Sequence, residues 1–518
     1  MKLLRSTLVV SGMTLLSRIF GFVRDVVLAR AFGASAATDA FYVALRIPNL
    51  MRRLFAEGSF SLAFVPVFSE YREKRSREEL KDLLDCVAGS LAAVLLVVTA
   101  IGVLAAPGLV AAFAPGFLDQ PAQFELASGM LRITFPYAML ISLTALAGGV
   151  LNSFGRFAVP AFTPVLLNIA LIAAALGLAP RMEQPITALA WGVLGAGVIQ
   201  LAFQFPSLVR LGLLPRPRVR FKHEGVQRIM RLMVPTLIGS SVAQINILID
   251  TLIASFIAVG SITWLYYSDR LLEFPLGLFG IALSTVILPS LSRQHSAGDQ
   301  QAFRRTLDWG LRVASLITLP AAVGLAVLAG PAVATLFNYG EFSAVDVSMT
   351  AASVVAYSLG LPAFVAVKVL APAYYSRQDT RTPVRIAIMA MVTNMVLNGI
   401  FVLVLLQWTV APPHAGLALA SSIAAYLNAG LLYRGLRRDG QIDHQAGWGR
   451  LGLGLVVACM AMALAVLWLV GDLDAWLALG PGDRALRLGT AVGLGMAVYL
   501  AVVLAFRVPI KELKGMPN

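Results

Sequence analysis

The chain has 518 residues, 58% of them hydrophobic and 13% charged, with a mean hydropathy of +0.80, where a soluble domain carries roughly 25% charge. That composition excludes a soluble enzyme or binding module and predicts an integral membrane protein. The formal charge of +14 invites a nucleic-acid reading, which its distribution then removes. Two cysteines, Cys86 and Cys459, both lie in apolar runs and predict buried thiols rather than a disulfide framework or a metal cluster.

Runs long enough to cross about 30 Å of hydrocarbon recur along the whole chain. In order they are 6–30, 36–66, 87–113, 127–151, 161–180, 187–209, 232–257, 262–291, 311–336, 347–371, 385–406, 415–433, 451–471 and 487–506. Backbone polar groups in lipid must be satisfied within the segment, so these runs are predicted to be helices. The fold class is therefore an all-α polytopic membrane protein with about 14 transmembrane helices. Lys2 and Arg5 precede the first run, but no small-residue cleavage site follows before Arg18, so this segment is expected to be an uncleaved first helix.

Of the 41 Lys and Arg, 28 fall at the termini and in one set of alternate loops, only 4 (Arg30, Arg181, Arg484, Arg487) in the opposite loops, and 9 within the apolar segments. This is the positive-inside pattern, and it predicts a multi-pass protein with both termini cytoplasmic. Nucleic acid is not needed to explain the charge. The basic connector "RLGLLPRPRVRFKHEG" at 210–225 has the composition of a surface linker that could meet anionic headgroups, although orientation alone accounts for it.

An internal repeat organises the chain. At an offset of 224, Tyr42 aligns with Tyr266, Arg46 with Arg270, and "LF" at 54–55 with "LF" at 278–279. At 223 the match continues through Pro66 and Pro289, Ser69 and Ser292, Ser153 and Ser376, and Pro160 and Pro383. The predicted domains are an N-lobe at 1–222, a C-lobe at 223–440, and two further helices in 441–518. Each half has an even number of crossings, so the repeats are parallel, an arrangement that suits rocking about a central site.

Three helices carry charge at depth. In the first, Ser11, Thr14, Arg18, Gly21 and Asp25 follow a 3,4,3,4 spacing that makes one stripe, with Arg24 on the adjacent row. In the second, Asp39, Tyr42, Arg46, Asn49 and Arg53 align, flanked by Arg52 and Glu57. In the eighth, Tyr266, Arg270 and Glu273 align with Asp269 beside them. An ionised side chain near mid-span costs about 2.5–3.5 kcal/mol on insertion scales, so such residues face a cavity or one another. Ion pairs such as Arg53–Glu57 and Arg270–Glu273 are expected to absorb some of the set. The deepest and most cavity-facing cations, Arg18, Arg24, Arg52, Arg53 and Arg270, are all arginine. A planar fork that stays charged suits phosphate oxygens, so a phosphate-bearing substrate is predicted.

The segments "SRIFGFVRD" (17–25), "ATDAFYVALRIPNLMRRLFAEGSFSLAFVPVFSEY" (37–71), "YYSDRLLEFPLGLFGIALSTVILPSLS" (266–292) and "APAYYSRQDTRTPVRIA" (371–387) closely resemble the MurJ (MviN) lipid II flippases of the multidrug/oligosaccharidyl-lipid/polysaccharide (MOP) exporter superfamily. The resemblance runs through about residue 440 and is looser beyond. It implies a bacterial inner-membrane protein that moves lipid II, an undecaprenyl-pyrophosphate disaccharide-pentapeptide, to the outer leaflet for peptidoglycan synthesis. It also implies two lobes in a V around a cationic cavity, a groove for the lipid tail at the last two helices, and contact with membrane lipids and the cell wall synthesis machinery.

The residues matching those that matter in the family are Arg18, Arg24, Asp39, Arg52 and Arg270, with Asp25 and Glu273 in support. On this expectation Arg24, Arg52 and Arg270 clamp the pyrophosphate while Asp39 and Asn49 contact sugar or peptide. No cofactor or metal is expected. Asp250 in the seventh span and Asp379 at the entrance of the eleventh are candidate cation or proton sites, with the membrane potential as the alternative energy source. The rivals are another lipid-linked glycan or drug exporter of the superfamily, or a membrane enzyme acting on polyprenyl-pyrophosphate. Against the enzyme, His223, His295, His414 and His444 lie in loops or at span ends, and the chain has no HExxH and no clustered Asp pair for Mg²⁺.

Overall fold

A computed structural model describes residues 2–53, 59–408, 411–442 and 447–506, and among them there is no strand. The chain forms two compact units, Met1–Thr263 and Trp264–Asn518. The first contains α1 (Lys2–Phe32), α2 (Ala36–Arg52), α3 (Ser59–Lys74), α4 (Arg77–Leu104), α5 (Ala106–Phe113), α6 (Pro121–Thr134), α7 (Tyr137–Ser153), α8 (Ala158–Ala173), α9 (Thr187–Arg210) and α10 (Glu224–Ala254). It ends within the first turn of α11 (Ser261–Pro275). The second continues through α12 (Ile281–Ser296), α13 (Gln300–Val327), α14 (Ala329–Phe337), α15 (Ala344–Tyr375), α16 (Arg381–Trp408), α17 (Pro413–Arg438), α18 (Trp448–Val470), α19 (Leu473–Leu477) and α20 (Pro481–Ala505).

Eleven helical segments among the described residues are long and apolar enough to cross a membrane. The other three predicted crossings fall on α1, on α2 with α3, and on α10. These are among the segments that carry ionised residues within the span, which lowers their hydropathy without shortening them: α1 and α10 have 31 residues each. The protein is thus an all-helical, multi-pass membrane protein.

Helix bounds recur at the spacing seen in the sequence. α4 and α13 are both 28 residues long and lie 223 residues apart at each end. One difference has a local cause. The sixth helical stretch of the first unit breaks between α6 and α7 at Pro136, where the chain loses a backbone donor; 223 residues on stands Leu359, and α15 runs unbroken for 32 residues. Packing places the boundary between units later than the repeat does. α10 lies against α3 and α4 in the first unit, its Val226, Ile229 and Met233 joining the core around Phe60, Phe64 and Phe68. Those three phenylalanines stack at 5.3 and 5.1 Å between ring centroids. The second unit has its own core, built on Ile287, Leu307, Val365, Val369 and Leu432.

Proline inside a helix leaves the carbonyl four residues back without its donor, and in lipid that group needs another. Three such carbonyls are supplied by hydroxyls. Thr134 Oγ1 donates to Ala44 O below Pro48 (2.9 Å), and Thr163 Oγ1 to Pro160 O below Pro164 (2.8 Å). Tyr499 Oη donates to Leu316 O below Pro320 (2.7 Å). The first bond ties α6 to α2 and the third ties α20 to α13.

Candidate functional site

The arginines that the sequence groups together are sorted by the structure into different environments. On α1, Arg18 is exposed and pairs with no described residue, whereas Arg24 and Asp25 are buried. Arg24 donates from Nε (3.0 Å) and Nη2 (2.6 Å) to Asp25 Oδ1 and from Nη1 to Asn168 Oδ1 (2.9 Å). Asn168, on α8, completes the arrangement by donating from Nδ2 to Ser17 O at 3.1 Å. The stripe predicted on α1 therefore divides along its length. Its beginning is open, and its end packs on α8 with charge satisfied internally. Arg24, expected in a pyrophosphate clamp, bonds here to Asp25 on its own helix and to Asn168 on α8.

Asp39 is placed by a capping box at the start of α2, where Ser35 and Thr38 satisfy each other. It is buried, and its carboxylate accepts from Gly260 N (2.7 Å), Thr263 N (2.8 Å) and Thr263 Oγ1 (2.6 Å). Thr263 is the position that matches Asp39 at the 224-residue offset. These bonds hold the first turn of α11. Asp39, expected against sugar or peptide, accepts in this structure from two backbone N–H groups and one hydroxyl.

Further along α2 the side chains become accessible. Arg46 donates to the Thr251 hydroxyl, Arg52 Nε donates to Asn49 Oδ1 (3.3 Å), and Arg53, exposed, donates to Gln244 Oε1 on α10 (3.3 Å). Glu57 lies outside the described residues. In the second unit, Arg270 Nη1 donates to Glu273 Oε2 (2.6 Å) and its Nε and Nη2 face Tyr266 Oη at 3.3 Å, with the guanidinium 5.1 Å from the Tyr266 ring centroid. Both members of the Arg270–Glu273 pair are more than a third exposed, and Asp269 beside them is exposed. Directly after them the helix passes through a π-helical turn, Leu276–Gly280, a distortion found often at functional sites.

The two acids considered for ion coupling differ. Asp250 is partly buried within α10. Asp379 lies outside the spans, and its Oδ1 accepts from Thr382 N at 3.0 Å, capping the start of α16. That backbone bond holds the Asp379 carboxyl below the usual carboxylate range.

One cluster outside these helices brings metal-ligating types together. Side chains of Asp82, Cys86 and His223 place their ligand atoms within 4.8 Å of one another. His223 Nδ1 accepts from Gly225 N (3.1 Å), which puts the proton of the neutral ring on Nε2, facing Asp82 Oδ2 at 3.6 Å. Nδ1 is thus taken by the start of α10, and the 3.6 Å between His223 Nε2 and Asp82 Oδ2 is longer than a hydrogen bond.

Asn168, Gln244 and Thr251 were not visible as site residues in the sequence. The one signal for Asn168 is an amide inside an otherwise apolar run, 144 residues from its partner.

The family model "Lipid II flippase MurJ" matches residues 28–479. The chain belongs to the MurJ lipid II flippase family. It is 49% identical over 522 residues to the "Probable lipid II flippase MurJ" of Vibrio cholerae, covering 99% of this chain and 98% of that protein. It is 43% identical to the "Lipid II flippase MurJ" of Burkholderia cenocepacia, covering 97% of each. The solved structure "Lipid II flippase MurJ, inward closed conformation" superposes with a TM-score of 0.80 at 27% identity, over 97% of this chain and 100% of that one. An inward-facing multidrug resistance MATE transporter of the MOP superfamily superposes at 0.66 over 84% of this chain, and at 13% identity shows the shared fold alone.

Proposed function

We propose that this protein is a lipid II flippase of the bacterial cytoplasmic membrane, moving the lipid-linked peptidoglycan precursor from the inner to the outer leaflet by alternating access, for cell wall synthesis. The observation that carries the reading is near full-length identity, up to 49%, to MurJ flippases. The protein acts as a transporter and not as an enzyme, with both termini in the cytoplasm as the distribution of Lys and Arg indicates.

Recognition of the pyrophosphate falls to Arg18, Arg52, Arg53 and Arg270, whose side chains are exposed or partly exposed. Two parallel N–H bonds from a guanidinium to phosphate oxygens are stronger and more directional than a lysine contact. Tyr266 holds the Arg270 plane in place, and Glu273 is the partner the substrate must displace. Arg24, with Asp25 and Asn168, keeps α1 in register beneath Arg18. Energy comes from a cation gradient or the membrane potential, with Asp250 as the residue to examine.

The test is the accessibility of lipid II in the outer leaflet of cells depleted of the protein and complemented with wild type at matched membrane levels. Recovery of outer-leaflet lipid II is expected. Unchanged accessibility on depletion would assign the protein another substrate.

A further inference from the structure

The connector from α9 to α10 is a built feature. Its backbone is tied to α4 along that helix. Arg77 Nη2 donates to Leu211 O (2.8 Å), Arg216 N to Asp85 Oδ1 (2.7 Å), Arg218 N to Asp85 O (2.9 Å) and Arg220 N to Ser90 Oγ (3.2 Å). The chain then turns back, His223 N donating to Arg220 O (3.2 Å), and His223 caps α10. Gly89 makes this possible, because a Cβ there would fall 2.4 Å from the Arg218 backbone. The apex, Arg220-Phe221-Lys222, is thereby fixed at the level of Ser90.

That register sets the depth of the apex. Residues 83–90 of α4 are all buried, and a band of exposed apolar side chains begins at Val94, continuing through Leu96, Val97, Ile101 and Leu104. Four residues at 1.5 Å each place the apex backbone about 6 Å short of that band, within reach of an arginine or lysine side chain. Arg216, Arg220 and Lys222 are exposed and form no ion pair among the described residues. Between them Val219 and Phe221 are 59% and 50% exposed. Orientation in the membrane explains basic residues here. It does not explain a backbone pinned at one depth, nor large apolar side chains left open among the cations. An aromatic ring flanked by cations at that level suits the interface of an acidic leaflet.

We propose that the connector apex docks on the acidic phospholipid headgroups of the leaflet it faces, Phe221 entering the interface and Arg216, Arg220 and Lys222 contacting phosphate. The inference rests on the positive-inside reading that makes this the cytoplasmic leaflet. It is independent of lipid II, so its failure leaves the flippase reading standing.

The test places a fluorescent label on a Val219→Cys variant of the full chain, whose own cysteines are both buried. The labelled protein is reconstituted into phosphatidylcholine vesicles containing a minority of brominated phosphatidylglycerol or of brominated phosphatidylcholine. Stronger quenching by the acidic lipid is expected. Replacing Arg216, Arg220 and Lys222 together with Gln should reduce that preference about tenfold or more. Should the triple variant fail to reconstitute, raising the salt on the singly labelled protein must weaken the preference in the same direction. Equal quenching by both lipids would overturn the proposal, as would a label open to aqueous iodide and untouched by either. Protection from iodide appearing only on addition of a cytosolic extract would assign the apex to a soluble protein and overturn it too.

Discussion

Arg24 in the first unit and Arg270 in the second are both arginines within charged helices, yet they occupy opposite situations. Arg24 is buried, with a carboxylate and an amide satisfying its fork. Arg270 leans on a tyrosine ring, paired with a glutamate that water can reach. The contrast is between an arginine that joins two helices of its own unit and one whose ion pair water can reach. Burial distinguishes them.

The largest effect that would sharpen this contrast is expected at the buried pair. Asp25→Ala leaves Arg24 buried without its counter-charge, and breaking a buried pair destabilises by about 3–5 kcal/mol. Thermal unfolding in detergent should show a correspondingly large drop, and the double variant R24M/D25L should recover much of it. If Asp25→Ala were as stable as wild type, Arg24 would not be an anchor.

Next in size is Arg270→Ala. Its pair with Glu273 is exposed, so unfolding should move by no more than about 1 kcal/mol. Transport should fall tenfold or more, because a charge-assisted bond to substrate is worth about 1.5–3 kcal/mol. A stability loss equal to that of Asp25→Ala would erase the distinction.

A smaller change is expected for Tyr499→Phe, which deprives the Leu316 carbonyl of its donor below Pro320. About 1–2 kcal/mol should be lost, detectable as a lower melting temperature. No change would mean that the carbonyl finds another partner.

The smallest concerns Asp379. Its depressed carboxyl pKa means that its contribution is present above the unfolded value and is lost as pH falls through the folded one. Loss of the cap in Asp379→Ala should lower stability by about 1 kcal/mol at neutral pH, and this difference should shrink below about pH 4. A transport profile between pH 6 and 8 that differs between wild type and Asp379→Asn would mark Asp379 as a proton site.

Much of the fold was legible from composition and periodicity, because each crossing must satisfy its own backbone and the repeat copies helix bounds at a fixed offset. What the sequence could not display was pairing at a distance. Arg24 and Asp39 look alike as charges on polar stripes, and their partners Asn168, Gly260 and Thr263 lie 144 to 224 residues away. Nor does periodicity reveal that hydroxyls on other helices stand below prolines, as Thr134 and Tyr499 do. Arg270 and Glu273 were legible as a pair because they lie one turn apart on a single helix.

The most direct test of the central claim is lipid II transport by the purified protein in proteoliposomes, comparing wild type with Arg270→Lys and Arg270→Ala at equal incorporation and matched melting temperature. Bidentate recognition predicts transport by wild type, a large loss in the alanine variant and poor rescue by lysine. Transport by the lysine variant equal to wild type, or by all three alike, would contradict the role assigned to the exposed guanidinium.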